Sequence, residues 1–165
     1  MNGKINELIS ALGEKLGMTL DFAGDDEIDL DIGDEITLNL HKDDEAGTLS
    51  LAAVVADELP DALEPALVVE LMDLALNPLV SGAPAIGRES ESGMMIAYVT
   101  LPVAAVSPVD FPEIVEAFLD FALVWKARFR DMPVDGENSS IRRFVDSSIA
   151  ATGAEAGDGF TAIKA

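Results

Sequence analysis

The sequence predicts an α+β domain, in which a twisted antiparallel sheet is flanked by helices in the order α-βββ-α-ββ-α. Apolar residues recur with the period of a helix in three segments, and five shorter segments carry the pattern of strands. Gly33-Asp34, between the first two strands, is typical of the tight turn of an antiparallel hairpin. Elements in this order favour one sheet with helices packed against it.

The first predicted element is an amphipathic helix at the start of the chain. Gly17 stands where such a helix usually ends. Glu7 and Glu14 stand where a signal peptide has its apolar region, so a signal peptide is not predicted. The apolar face of this helix is formed by Ile5, Leu8, Ile9, Leu12 and Leu16.

Strict alternation predicts the first two strands, with apolar residues facing a core and acidic residues facing water. A calcium loop is the alternative for this acidic stretch, but apolar residues take the alternate positions where an EF-hand has oxygen ligands. A third, more apolar strand follows from Thr48 to Val55. The alternating apolar residues are Ile28, Leu30, Ile32, Ile36, Leu38 and Leu40.

Between Pro60 and Asn77 the pattern is that of a helix with two apolar stripes, and Pro65 is expected in the first turn of its main body. A helix apolar over so much of its circumference must be covered on both sides, either within one subunit or by a second subunit. The first stripe holds Leu63, Leu67, Leu71 and Leu74, and the second holds Val68, Met72 and Leu76. We expect a dimer interface here, through Leu67, Val68, Leu71 and Leu74.

A hairpin that turns at Ser92-Gly93 and a last helix complete a domain over residues 1–130. Asp110 and Glu113 resemble a capping pair at the start of that helix. Residues 131–165 form an acidic tail rich in Gly, Ser and Ala, in which apolar residues at helical spacing predict a short helix over 139–150.

Composition excludes several classes of function. The 165 residues carry 10 Lys and Arg against 31 Asp and Glu, a net charge of −21, which repels nucleic acid and anionic lipid. The absence of cysteine excludes disulfides and thiol catalysis. Charged residues and prolines interrupt the most apolar run, Leu63 to Val80, so no segment is expected to span a membrane. A soluble cytoplasmic protein is expected.

No motif in the sequence predicts catalysis. His41 is the only histidine and has no nucleophile beside it in a known local signature. Gly82 to Gly87 lacks the Lys-Ser/Thr pair of a phosphate loop. We therefore expect a binding protein with no catalytic residue, no metal site and no cofactor.

Four features occur in a specific order along residues 1–130. They are the first helix ending in Leu16-Gly17, the strand pair IDLDIGDEITLNL, a second helix ending in LMDLALN, and a last helix ending in ALVWKARF. In this order they resemble the class I type III secretion chaperones of the Tir chaperone (CesT-like) family. The tail departs from the shorter pattern of that family.

The resemblance implies a cytoplasmic homodimer that binds an extended N-terminal segment of a secreted effector and keeps it soluble and export-competent without ATP. An extended client can add a strand to a sheet edge and place alternate apolar side chains in pockets. The alternative for each apolar residue is that it belongs to the core. The candidate client contacts are Leu8, Leu12, Ile28, Leu30, Ile32 and Leu38.

Two other functions remain open at this point. The first is an adaptor of the same fold that binds a regulatory protein, and the second is an enzyme with carboxylate chemistry. A separate hypothesis concerns the tail, in which Ile141 to Ile149 carry an apolar stripe. That stripe is predicted to occupy an apolar groove of its own or a neighbouring subunit and so to imitate a client.

Overall fold

The computed structural model describes residues 2–59 and 63–132, and these form one antiparallel sheet with helices packed against it. The predicted α+β class is confirmed. The tail, from residue 133 onward, and the helix predicted over 139–150 lie outside the described residues. The elements are α1 (Asn2–Leu16), β1 (Glu27–Ile32), β2 (Ile36–Asp43), β3 (Thr48–Ala56), α2 (Pro65–Ala75), α3 (Asn77–Val80), β4 (Ala85–Arg88), β5 (Met95–Pro102), a 3₁₀ turn (Val103–Ala105) and α4 (Phe111–Arg130).

The five strands lie in the order β1-β2-β3-β5-β4, so β1 and β4 are the two edges of the sheet. Because successive side chains of a strand point to opposite faces, every second residue lies on the helix-covered face. Leu30 lies opposite Leu38 and Leu40 opposite Leu51, and this apolar layer continues across β3 into β5. Because the layer is continuous, a one-residue slip of any strand would expose its apolar side chains.

The helices cover this layer. α4 packs mainly on β3, and α1 packs against α4. Phe111 and Phe118 of α4 and Leu8 of α1 are at most 1% exposed. The longest helix thus lies across the centre of the sheet, and both sheet edges remain at the border of the domain.

Two details differ from the sequence predictions. The first turn of the predicted helix is confirmed, since α2 begins at Pro65, but the helix ends at Ala75. The separate short helix α3 follows, in which Pro78 takes an early position where its missing N–H costs nothing. The predicted capping pair is wrong, because Asp110 is itself helical in conformation and its side chain caps no N–H group. The preceding turn provides the start instead, since the backbone N–H of Phe111 donates to the carbonyl of Ser107 at 3.0 Å.

Candidate functional site

The outer edge of β1 is the first candidate surface. β1 pairs with β2 on one side only, and no other strand of residues 2–59 and 63–132 pairs with its outer side. Its backbone N–H and C=O groups on that side are therefore available to an incoming strand. We call this side, from Glu27 to Ile32, the β1 edge.

Cross-strand hydrogen bonds hold β1 on the sheet. On the face away from the helices, Asn39 Nδ2 donates to Asp29 Oδ1 at 2.9 Å, and Thr37 Oγ1 donates to Asp31 Oδ1 at 2.8 Å. The same residues are directly opposite each other in the strand register. Two acidic residues of β1 thus support its register with β2 through cross-strand side-chain hydrogen bonds.

The segment before β1 is fixed by one lysine. Lys42 Nζ lies 3.1 Å from Asp26 Oδ1 and 3.5 Å from Asp44 Oδ2, and it lies 5.2 Å from the centre of the Phe22 ring. The hydrogen bond to Asp26, opposed by partial loss of solvation, raises the pKa of Lys42 above its ordinary value. The lysine therefore stays charged and keeps the entry to β1 in place.

The predicted client contacts lie on both sides of the boundary between core and surface. Leu8, Leu12, Leu30 and Leu38 are at most 7% exposed and belong to the core of the subunit. Ile28 and Ile32 are partly buried and pack against that core from β1. Of the six, the two isoleucines at the β1 edge are the ones with surface to offer a partner.

The second candidate surface is an apolar face on α2 and α3. Five of its apolar side chains are more than half exposed, and Leu79 and Val80 reach 85% and 81%. Apolar residues on an ordinary surface are exposed singly, whereas five on two successive helices are typical of an interaction site. We call it the α2–α3 face, and it consists of Val69, Met72, Leu76, Leu79 and Val80.

The residues predicted for a dimer interface lie on the other side of α2. Leu67 is buried, Leu71 and Leu74 pack against the core, and Val68 is partly exposed. The first of the two sequence stripes therefore faces the subunit itself. The second stripe contributes Met72 and Leu76 to the exposed face.

An ion pair joins α2 to α4. Arg128 Nη1 and Nη2 donate to the two carboxylate oxygens of Glu70 at 2.7 and 2.6 Å, and Arg128 Cζ lies 4.6 Å from the centre of the Trp125 ring. The paired hydrogen bonds lower the pKa of Glu70 and raise that of Arg128. This two-point contact links α2 to the C-terminal half of α4 at the surface of the domain.

Three further predictions concern a metal site, the histidine and a membrane-spanning segment. Within residues 2–59 and 63–132, no three His, Asp or Glu side chains come together as ligands for a metal ion. His41 lies in β2 opposite Ser50 and is partly exposed. In the same ranges, no helix is long and apolar enough to cross a bilayer.

Comparison with known proteins gives one family. The model of the Tir chaperone protein (CesT) family matches residues 7–126, which include every strand of the sheet. No curated protein matches the chain.

Several solved structures share the fold. A chain of the HopA1–SchA chaperone–effector complex is 23% identical, with a TM-score of 0.60 over 78% of this chain and 94% of that one. A chain of the ExsC–ExsE complex is 19% identical, with a TM-score of 0.63 over 77% and 94%. A chain of the complex between the Yersinia pestis type III secretion chaperone SycH and a stable fragment of YscM2 is 12% identical, with a TM-score of 0.58 over 73% of this chain and 98% of that one.

Proposed function

Because the chain belongs to the Tir chaperone protein (CesT) family, its function is that of a type III secretion chaperone, and we propose that it acts in the cytoplasm on a non-globular segment near the N-terminus of its effector. Binding of this kind needs neither ATP nor a catalytic group. The family match gives no support to the adaptor alternative.

The β1 edge is the observation that supports this mode of binding. A client strand laid along it would form backbone hydrogen bonds, which give affinity without dictating sequence. Every second client side chain would then extend the apolar layer beside Ile28 and Ile32, which are only partly buried by the subunit itself. Selectivity would come from how well these alternate side chains fit.

We further propose that two copies pair through the α2–α3 face. Its exposed apolar side chains lie beside β4, at the opposite edge of the sheet from β1. A homodimer would cover this face and leave both β1 edges open. The net charge of −21 on each chain would keep such dimers apart from one another in spite of their exposed binding surfaces.

The test begins with capture of partners from a lysate of the source organism by the tagged full chain, without ATP. Each partner is then divided into overlapping peptides, and the peptide that binds is titrated against the protein during hydrogen exchange. We expect a peptide from a non-globular N-terminal region to bind and to slow exchange at residues 27–32. Ile28 is partly buried at the β1 edge, and Ile28→Thr should weaken binding of the peptide about fivefold, because apolar contact area is lost.

Ile96→Thr is the matched control, since Ile96 is also a partly exposed strand isoleucine but lies in β5. It should leave affinity unchanged. Exchange that slows at other residues while 27–32 stay unprotected would contradict strand addition at the β1 edge. Binding that requires a folded domain of the partner would contradict the proposed client class.

A further inference from the structure

A groove opens at one end of the sheet, where the β1–β2 turn, the end of β3 and the C-terminal half of α4 meet. It consists of two adjoining concavities of about 670 and 640 Å³, and Val55 and Lys126 line both. Leu123 and Phe129 of α4 add apolar surface to it. We call it the sheet-end groove, and it is large enough to take several side chains of a peptide.

The rim of this groove is acidic. Asp34 and Glu35 belong to the turn between β1 and β2, and Asp57 and Glu58 directly follow β3. Within residues 2–59 and 63–132, none of these four carboxylates forms an ion pair. Lys126 donates instead to the backbone carbonyl of Glu35. A segment that combines apolar and cationic side chains therefore matches the groove better than an apolar or acidic one.

The tail of the same chain contains such a segment. Residues 139–150 read SSIRRFVDSSIA, with two arginines against one aspartate in a chain whose net charge is −21. Ile141, Phe144 and Val145 fall on one side of a helical pattern. Of the three basic residues after position 132, Arg142 and Arg143 lie in this segment and only Lys164 lies elsewhere.

The connection to the groove is short. α4 ends at Arg130, which itself lines the groove, and eight residues, 133–140, separate Met132 from Ile141. Eight residues span at most about 28 Å even when fully extended. The segment therefore stays within reach of the groove, and docking within one subunit needs no long connection.

We propose that segment 139–150 docks in the sheet-end groove of its own subunit, with Arg142 and Arg143 against the acidic rim and the apolar stripe on the groove floor. Of the residues of the β1 edge, only Asp31 lines the groove, so most of that edge lies outside the docking site. The test below uses no client, so its outcome does not depend on whether a client binds at that edge.

The composition of the chain makes a direct test simple. It has no cysteine and one tryptophan, Trp125, which lies in α4 between groove residues Leu123 and Lys126. A single Ser147→Cys substitution, on the less apolar side of the segment, gives one site for a fluorescent acceptor. Energy transfer from Trp125 to this label in the full chain then reports how close the tail lies to the groove.

Charge reversal identifies the contact. Asp34→Lys with Glu35→Lys should lower the ratio of docked to undocked tail about tenfold, because two attractive pairs become repulsive. Adding Arg142→Glu with Arg143→Glu to that variant should restore transfer. Glu7→Lys with Glu14→Lys is the matched control, since both are exposed and neither lines the groove. Circular dichroism confirms that each variant is folded.

The proposal predicts that energy transfer falls when the two rim charges are reversed, recovers in the variant with all four substitutions and is unchanged in the control. Transfer that is unchanged by the rim variant would overturn it. So would an equal loss in the control, which would indicate a general effect of net charge. Transfer that rises with protein concentration would place the tail on another subunit and would also overturn docking within one subunit.

Discussion

At the scale of single residues, Gly13 shows how closely the chain is folded at the end of α1. The chain turns back after the helix, and the backbone N–H of Met18 donates to the carbonyl of Gly13 at 3.0 Å. A Cβ atom on Gly13 would lie only 2.6 Å from the carbonyl oxygen of Met18. Backbone atoms cannot move aside as a flexible side chain can, so this position requires glycine.

We predict that Gly13→Ala lowers the free energy of unfolding by about 1–3 kcal/mol, in spite of the better helix propensity of alanine. Gly3→Ala is the matched control in the same helix, because a Cβ there meets nothing within 4 Å. It should be neutral or stabilise by up to about 1 kcal/mol. Urea unfolding of both variants tests this. Equal changes in the free energy of unfolding at the two positions would show that the short distance between Gly13 and the Met18 carbonyl does not affect stability.

At the scale of elements, α2 shows what the sequence could and could not predict. Periodicity revealed two apolar stripes on this helix, and both exist. It could not tell which stripe faces the sheet, because both contain side chains of similar size and hydrophobicity. That choice is made by tertiary packing, in which Leu67 enters the core and α2 lies against β4, a strand that follows it in the sequence.

The strands were easier to predict, since alternation specifies both an element and its buried face. The same logic placed Leu30 and Leu38 in an apolar layer, which the structure confirms. It could not show which strand lies at an edge, because strand order is a property of the assembled sheet. The β1 edge therefore became visible only in the structure.

The turn between β4 and β5 carries a prediction about pH. The backbone N–H groups of Glu91 and Ser92 donate to the Glu89 carboxylate and, with the Ser92 side chain, lower its pKa from 4.5 to about 2. The folded state thus favours the ionised form. The resulting stability is present above the ordinary pKa and is lost as the pH falls towards the lowered one.

Glu89→Gln removes this ionisation, so the stability difference between wild type and variant should be larger at about pH 6 than at about pH 2.5. Urea unfolding at these two values tests it and avoids the isoelectric point near 4.1, where solubility is low. A difference that is the same at both values would mean that the carboxylate gains nothing from the turn.

At the scale of the whole molecule, the proposed homodimer balances apolar contact against charge. Pairing two chains of −21 gives −42, so the α2–α3 face must supply enough apolar burial to exceed the repulsion. Because salt screens that repulsion, the dimer should also tighten as ionic strength rises.

We predict that Met72→Asp with Leu79→Asp converts the protein to a monomer, because each carboxylate would be buried without a partner in the interface. Both side chains are more than half exposed in the subunit, so the fold should tolerate the change. Val124→Asp is the matched control, since Val124 is 64% exposed on α4. Sedimentation should give twice 17.4 kDa for the wild type and the control. A monomeric wild type, or a doubly substituted dimer, would contradict the assignment.

The strand order of the sheet also sets a minimum length for a client that binds both β1 edges of such a dimer. From β1 to β4 there are four strand spacings, or about 19 Å, and the two β1 edges would lie at the outer ends of the proposed dimer. With a helical layer between the subunits, about 50 Å would separate them. An extended chain needs about 15 residues to cover that distance. A shorter linker between two pairing segments would restrict the client to one edge, and two client molecules could then share one dimer.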